Sequence, residues 1–168
     1  MRRIALITLC TLFAATAAFA EEAKKPLSPP AKAEATVKGK KITVDYSAPS
    51  KRGRAIMGEL VPYGKVWRTG ANAATTLTTE ADLMIGSLHV PAGKYTLYTI
   101  PGEKEWTLIV NKQTGQWGSD YDEAKDLGRV KMTVAPVKDT VEQFNIAVKE
   151  TLALTWENTK AWVPVIVH

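Results

Sequence analysis

Lys94-Tyr95-Thr96-Leu97-Tyr98-Thr99 runs on to Pro101-Gly102, and Trp106-Thr107-Leu108-Ile109-Val110 follows. In the first run Tyr95, Leu97 and Thr99 fall on one side of an extended chain, with Lys94, Thr96 and Tyr98 on the other. In the second, Trp106, Leu108 and Val110 repeat the arrangement. A two-residue period puts one row of side chains in a core and the other towards solvent or a partner. A Pro-Gly pair between two such runs is turn chemistry. These residues therefore read as paired strands, and they set the class for the rest of the chain.

The same period recurs on both sides. Ile42, Val44 and Tyr46 alternate with Thr43 and Asp45; Val130, Met132 and Val134, then Phe144, Ile146 and Val148, then Leu152, Leu154 and Trp156 do likewise. Lys38-Gly39-Lys40, Gly86-Ser87, Pro91-Ala92-Gly93 and Glu150-Thr151 fall between them. Gly86-Ser87, set between Met84-Ile85 and Leu88-His89-Val90, has hairpin spacing, with a glycine free to take positive φ. Roughly eight or nine short strands predict one all-β domain, a single antiparallel β-sandwich, with a jelly roll among the arrangements open to it. Segments 55–60 and 121–127 each have room for a short helical turn, too short to form a layer.

The 168-residue chain is 45% apolar and 23% charged, an ordinary globular profile for one sizeable domain. Its first residues read differently. Met1-Arg2-Arg3, an uncharged apolar run from Ile4 to Ala18, and Ala18-Phe19-Ala20 before Glu21-Glu22 make up the three parts of a secretory signal peptide, residues 1–20. The expected location is periplasmic or secreted, with no membrane span in the mature chain. Residues 21–32, with Pro26, Pro29 and Pro30 among Ala, Lys and Ser, read as an extended leader, and the domain is expected from Ala33 to His168.

Cleavage would remove Arg2, Arg3 and Cys10, leaving 20 basic against 17 acidic side chains and no cysteine. That excludes thiol chemistry and disulfides, so a buried core must hold the mature domain together. No Lys/Arg stripe interleaved with aromatics is present, which speaks against nucleic acid as a partner. His89 and the terminal His168 are the two histidines, too few for a His-rich metal centre or a recognisable Ser–His–Asp arrangement. The expectation is no cofactor and no metal.

Two stretches break the meander. Residues 47–68 carry Pro49, Gly53, Gly58, Pro62 and Gly64 with Lys51, Arg52 and Arg54; residues 111–128 carry Gly115, Gly118 and Gly128 around Trp117, Tyr121 and several acids. Long connections in a compact domain are often functional. The string Val61-Pro62-Tyr63-Gly64 and Val66-Trp67-Arg68-Thr69-Gly70-Ala71-Asn72, with Pro91-Ala92-Gly93-Lys94-Tyr95, Thr99-Ile100-Pro101 and Gln116-Trp117-Gly118, resembles the bacterial exported family catalogued as domain of unknown function 2911. The resemblance covers about residues 47–148 and implies no particular activity. Members tend to have Glu after the Asn of the string, where this chain has Ala73.

The residues themselves suggest more. Arg68 in apolar company needs a carboxylate, several backbone carbonyls, or an anionic ligand for its planar fork. Arg68 and Asn72 either hold a loop to main-chain carbonyls or recognise a polar ligand. Trp117 and Tyr121 offer an aromatic wall, or else a plug for the open end of a sandwich. Arg54, in the basic trio, is either a solvated loop residue or a further cation for the site. Asp120, Asp122, Glu123 and Asp126 could supply paired carboxylates, but their spacing fits an exposed turn better, with Asp122 as a cap. The favoured reading is a non-enzymatic binding domain for a small polar or anionic ligand, with Arg68, Asn72, Arg54, Trp117 and Tyr121 at the site. The alternatives are a carboxylate-based hydrolase of glycans and an envelope structural or assembly protein. The oligomeric state is not legible.

Overall fold

The computed structural model describes residues 26–168. The expected signal peptide and residues 21–25 of the leader lie outside the described residues. In chain order the elements are β1 (Pro30–Val37), β2 (Lys40–Ser47), β3 (Thr76–Thr79), β4 (Leu83–Ile85), β5 (Leu88–Val90), β6 (Gly93–Ile100), β7 (Glu105–Asn111), a 3-10 turn (Glu123–Lys125), β8 (Asp126–Val148) and β9 (Thr151–Val167). The strands form one nine-stranded antiparallel sheet in the order β1-β2-β3-β6-β7-β8-β9-β4-β5. The fold is all-β, as the alternating runs predict.

The two runs that decide the class pair as β6 and β7, with Leu97 opposite Val110 and Thr99 opposite Leu108. Gly86-Ser87 is a two-residue hairpin in which Ile85 faces Leu88. That hairpin leaves the sequential order and docks on the end of β9, Leu83 opposite Val167. β8 is long enough to serve two places. Its first part pairs with β7, and register shifts on either side of Val141 bend its second part away. There Phe144 N–H donates to Pro49 O (2.8 Å) and Lys51 N–H to Glu142 O (2.7 Å), bringing the β1–β2 end of the sheet round to meet it.

The sheet thus folds over a single core that includes Ile42, Val44, Leu77, Leu97, Leu108, Val110, Ile146 and Leu154. Its aromatic centre is Trp67, edge-on to Trp106 and Phe144 and stacked on Trp156, with ring centroids 5.0 to 6.2 Å apart. Such rings supply much of a core's burial energy, and truncating one to alanine costs about 3–5 kcal/mol.

Three local expectations change. Strand pairing begins at Pro30 rather than Ala33, with Pro30 opposite Ser47; a proline at the first position of an edge strand gives up no needed ladder donor. Thr96 and Tyr98, in the row expected to face solvent or a partner, are fully buried, because the 112–125 connection lies across that face. Segment 55–60 makes only an isolated turn closed on Ile56 O, whereas 121–127 does contain the 3-10 turn. Asp122 caps that turn as expected, accepting from Ala124 N–H at 3.0 Å.

Candidate functional site

Trp67 pairs with Thr99 through two backbone bonds, Trp67 N–H to Thr99 O (2.7 Å) and Thr99 N–H to Trp67 O (2.9 Å). This extended pairing turns Trp67 into the core and carries Arg68 to the other side. The chain then reverses through Thr69 (φ 55°), Gly70 (φ 152°) and Asn72 (φ 58°). Left-handed backbone is strained for a β-branched residue by about 1–3 kcal/mol. Thr69 is held there by Thr75 Oγ1, which donates to its carbonyl at 2.7 Å, and by its own hydroxyl against Thr99 Oγ1 at 3.1 Å. At Gly70 a Cβ would lie 3.0 Å from both Ser47 O and Thr75 Oγ1, a tight fit that adds to the positive φ in favouring glycine.

The 112–125 connection is zipped to this turn. Gly118 N–H donates to Asn72 O (3.0 Å), and Ala73 bridges to Trp117. Buried polar groups pin the rest: Thr96 Oγ1 donates to Gln113 O (2.7 Å), Gln116 Nε2 donates to Tyr98 OH (3.1 Å), and Asn111 Nδ2 donates to Asp122 O (2.8 Å). Arg68 emerges at the seam, half-buried, its stem lying on Gly118. Among the described residues its guanidinium makes no hydrogen bond and no ion pair; the arginine side chains that do are those of Arg52, Arg54 and Arg129.

Two cavities meet at Arg68. One, of about 500 Å³, lies between Leu60, Lys65 and Trp67 and the pair Tyr98 and Tyr121. The other, of about 350 Å³, is bounded by Arg52, Arg54 and Asn72 over Trp67 and Trp156. Leu60, Trp67 and Arg68 line both, and no Asp or Glu lines either. Of the residues singled out from sequence, Arg54 and Asn72 share the smaller cavity with Arg68, and Tyr121 shares the larger. Trp117 lines neither: its backbone pairs with Ala73 and the residue is 53% exposed, so the aromatic wall is Tyr121 with Tyr98 instead. Lys65, Arg52, Tyr98 and Trp156 were not singled out as site residues. Only the closeness of Arg52 to Arg54 in the chain could have signalled one of them.

The carbonyl-binding role that the sequence leaves open for Arg68 belongs to Arg54. Its Nε donates to Lys51 O (3.0 Å) and its Nη2 to Ser50 O (2.7 Å), closing its own turn. Among the described residues Asn72 Nδ2 reaches only Ser28 O, at 3.5 Å. Arg52 donates one Nη2 bond to Leu27 O (3.2 Å). The basic loop is fixed by Glu157, itself in left-handed backbone (φ 54°), whose Oε2 accepts from Ile56 and Met57 N–H and whose Oε1 meets Lys51 Nζ at 3.2 Å. Burial alone would raise that carboxyl's pKa, but the Met57 N–H, Lys51 and the Ile56 N–H together hold it below the usual value of 4.5.

The acidic cluster is occupied elsewhere. Arg129 Nη2 meets Glu123 at 2.7 Å and Asp126 at 2.9 Å, and Tyr121 OH donates to Asp126 Oδ2 at 2.8 Å. Burial and that hydrogen bond outweigh Arg129 and push the Tyr121 phenol up to about 12. Burial likewise raises Tyr98. Both phenols are therefore neutral at physiological pH. His89 is exposed on the β4–β5 hairpin beside Asp82, and lines neither cavity. Among the described residues no group of three or more His, Cys, Asp or Glu is placed to hold a metal ion, and no helix is long and apolar enough to cross a membrane.

The family described as protein of unknown function (DUF2911) matches residues 28–165. The chain belongs to the DUF2911 family. The DUF2911 match takes in the larger cavity, the seam and all of the smaller cavity's lining but Leu27, so the architecture around Arg68 lies within the family's own extent. No curated protein and no solved structure matches the chain.

Proposed function

We propose that this DUF2911 protein is an exported, periplasmic or secreted, non-enzymatic binding domain for a small anionic ligand, anchored by Arg68. The observation that carries the reading is the half-buried guanidinium with no partner among the described residues. A cation partly withdrawn from water loses hydration, and an anion held by its fork restores the lost interactions through charge-assisted bonds. Arg52 and Arg54 on the same cavity, with no acid in its lining, add to a positive field that concentrates anions. Trp67 and Trp156 give the ligand an apolar floor. Of the acids of the second loop, Glu123 and Asp126 serve Arg129 and Tyr121, Asp122 caps the 3-10 turn and Asp120 meets Ser119 Oγ at 3.5 Å; none lines either cavity, which weighs for binding over carboxylate catalysis.

The test is a melting-temperature and calorimetric titration of the mature protein with phosphate, sulfate and acetate at low salt. Binding to the native state raises the melting temperature. The expected result is a rise for wild type, none for Arg68→Ala, and partial recovery for Arg68→Lys, which keeps the charge without the fork. Unchanged binding by a folded Arg68→Ala overturns the proposal, as does the absence of any anion response. Export is tested separately by amino-terminal sequencing of the processed protein, expected to begin at Glu21.

A further inference from the structure

We infer that the ligand carries two anionic groups, one on each side of Arg68, joined by an uncharged body; this rests on the anion-binding reading above. Arg68 lines both cavities, and cations stand beyond it on both sides: Lys65 on the larger, Arg52 and Arg54 on the smaller. Lys65 is exposed and makes no ion pair or hydrogen bond among the described residues. What the cavities share besides Arg68 is Leu60 and Trp67, an apolar strip that suits the connecting part of a ligand and not a third charge.

The polar groups of the larger cavity narrow the choice further. The Tyr98 and Tyr121 hydroxyl protons are committed to Asp120 O and Asp126 Oδ2. Lys65 and Arg68 are therefore the charged donors that can receive an anion there. A guanidinium has five N–H donors, so a two-bond contact to one acidic group leaves donors for a second on its other edge. A monoanion satisfies one cavity and leaves the cations of the other in water. The class that fits both is an elongated dianion, such as a dicarboxylate or a short acidic saccharide.

The probes are the dicarboxylates succinate, adipate and suberate, each titrated calorimetrically against the monocarboxylate of equal carbon number. Joining two contacts in one ligand makes the second intramolecular, so at the fitting length the dicarboxylate should bind about tenfold tighter or more. The advantage should peak at one length. Lys65→Ala should bring the ratio of dicarboxylate to monocarboxylate affinity at that length down to about one, since Lys65 faces one end of the ligand. An advantage that is flat with length, or that survives Lys65→Ala, overturns this inference. If monocarboxylates bind and no dicarboxylate binds tighter, this inference falls while anion binding stands. If neither class binds, both fall.

Discussion

The stem of Arg68 lies so flat on Gly118 that a Cβ added there would stand 2.6 Å from Arg68 Cδ and 2.7 Å from Asn72 O. Arg68 and Gly118, far apart in the chain, are two halves of one contact. The glycine does not serve a left-handed turn. It is there because the arginine and the backbone of Asn72 occupy the space a side chain would need.

Gly118→Ala is therefore expected to open the seam. The Arg68 stem can move, but the Asn72 carbonyl belongs to a turn already fixed by Thr69 and Gly70. Overpacking of this kind costs about 1–3 kcal/mol. Urea denaturation should report that loss, and anion affinity should fall with it. Arg68→Ala should abolish the affinity with less loss of stability, and the double variant should recover only part of the Gly118→Ala cost, because the Asn72 contact remains.

A paired comparison tests the β4–β5 hairpin. Gly86 has φ 58°, and a Cβ there would lie 2.5 Å from Val130 Cγ2 and 3.0 Å from Val163 Cγ2. Gly39 has φ 74° with nothing within 4 Å. Both alanine variants carry left-handed strain of about 1–2 kcal/mol, but only Gly86→Ala also drives a methyl into the core. Equilibrium denaturation should place Gly86→Ala at least about 1 kcal/mol below Gly39→Ala. Equal losses would mean that the hairpin does not press on β8 and β9 as described.

The strands were legible because burial imposes a period of two, and Ile42-Val44-Tyr46 or Trp106-Leu108-Val110 carry it plainly. The same rule misread Thr96 and Tyr98. Their hydroxyls look like solvent-facing groups, and only the path of the 112–125 connection buries them. Arg68 was legible as a cation needing an answer, and Tyr121 as an aromatic beside it. Which arginine binds carbonyls was not, since Arg54 and Arg68 differ in what the folded chain brings near them and not in local sequence. Trp117 was misplaced for a related reason: a strand-like bridge to Ala73 sets its direction, and no local signal marks a bridge between two loops. Lys65 gave no signal at all, being one lysine among many until Pro62 and Val66 place it at a cavity wall.

Tyr121 makes alkaline stability a readout of the second loop. Its folded pKa, about 12, lies above the ordinary 10.0, so the folded state holds the phenolic proton more tightly than the unfolded. The associated stability is complete below pH 10 and is lost as pH rises towards 12. Tyr121→Phe removes the bonds to Asp126 and from Arg129, at a cost of about 1 kcal/mol near neutrality. Because Tyr95 and Tyr98 are raised too, the quantity to measure is the difference in unfolding free energy between wild type and variant. That difference should narrow between pH 10 and 12. A constant difference would show that the Tyr121 proton is not held by the fold.

Glu157 sets the opposite limit. Its carboxyl lies below 4.5 in the folded protein because Met57, Lys51 and Ile56 all favour the charged form. The folded state therefore binds this proton less readily than the unfolded chain, so the stability it confers is present above pH 4.5 and disappears as pH falls through the depressed folded value. Glu157→Gln keeps an acceptor for the two N–H groups and removes the charge that faces Lys51. At pH 7 the variant should be less stable by about 1 kcal/mol, with the gap closing as acid protonates the wild-type carboxyl. The consequence reaches the anion site, because Glu157 holds the 51–57 loop that carries Arg52 and Arg54. Sulfate, which keeps its charge in this range, should bind wild type more weakly as pH falls below 4.5, while binding to Glu157→Gln should start weaker and change less. If sulfate affinity and stability of both proteins run parallel down to pH 3, Glu157 does not position the basic loop.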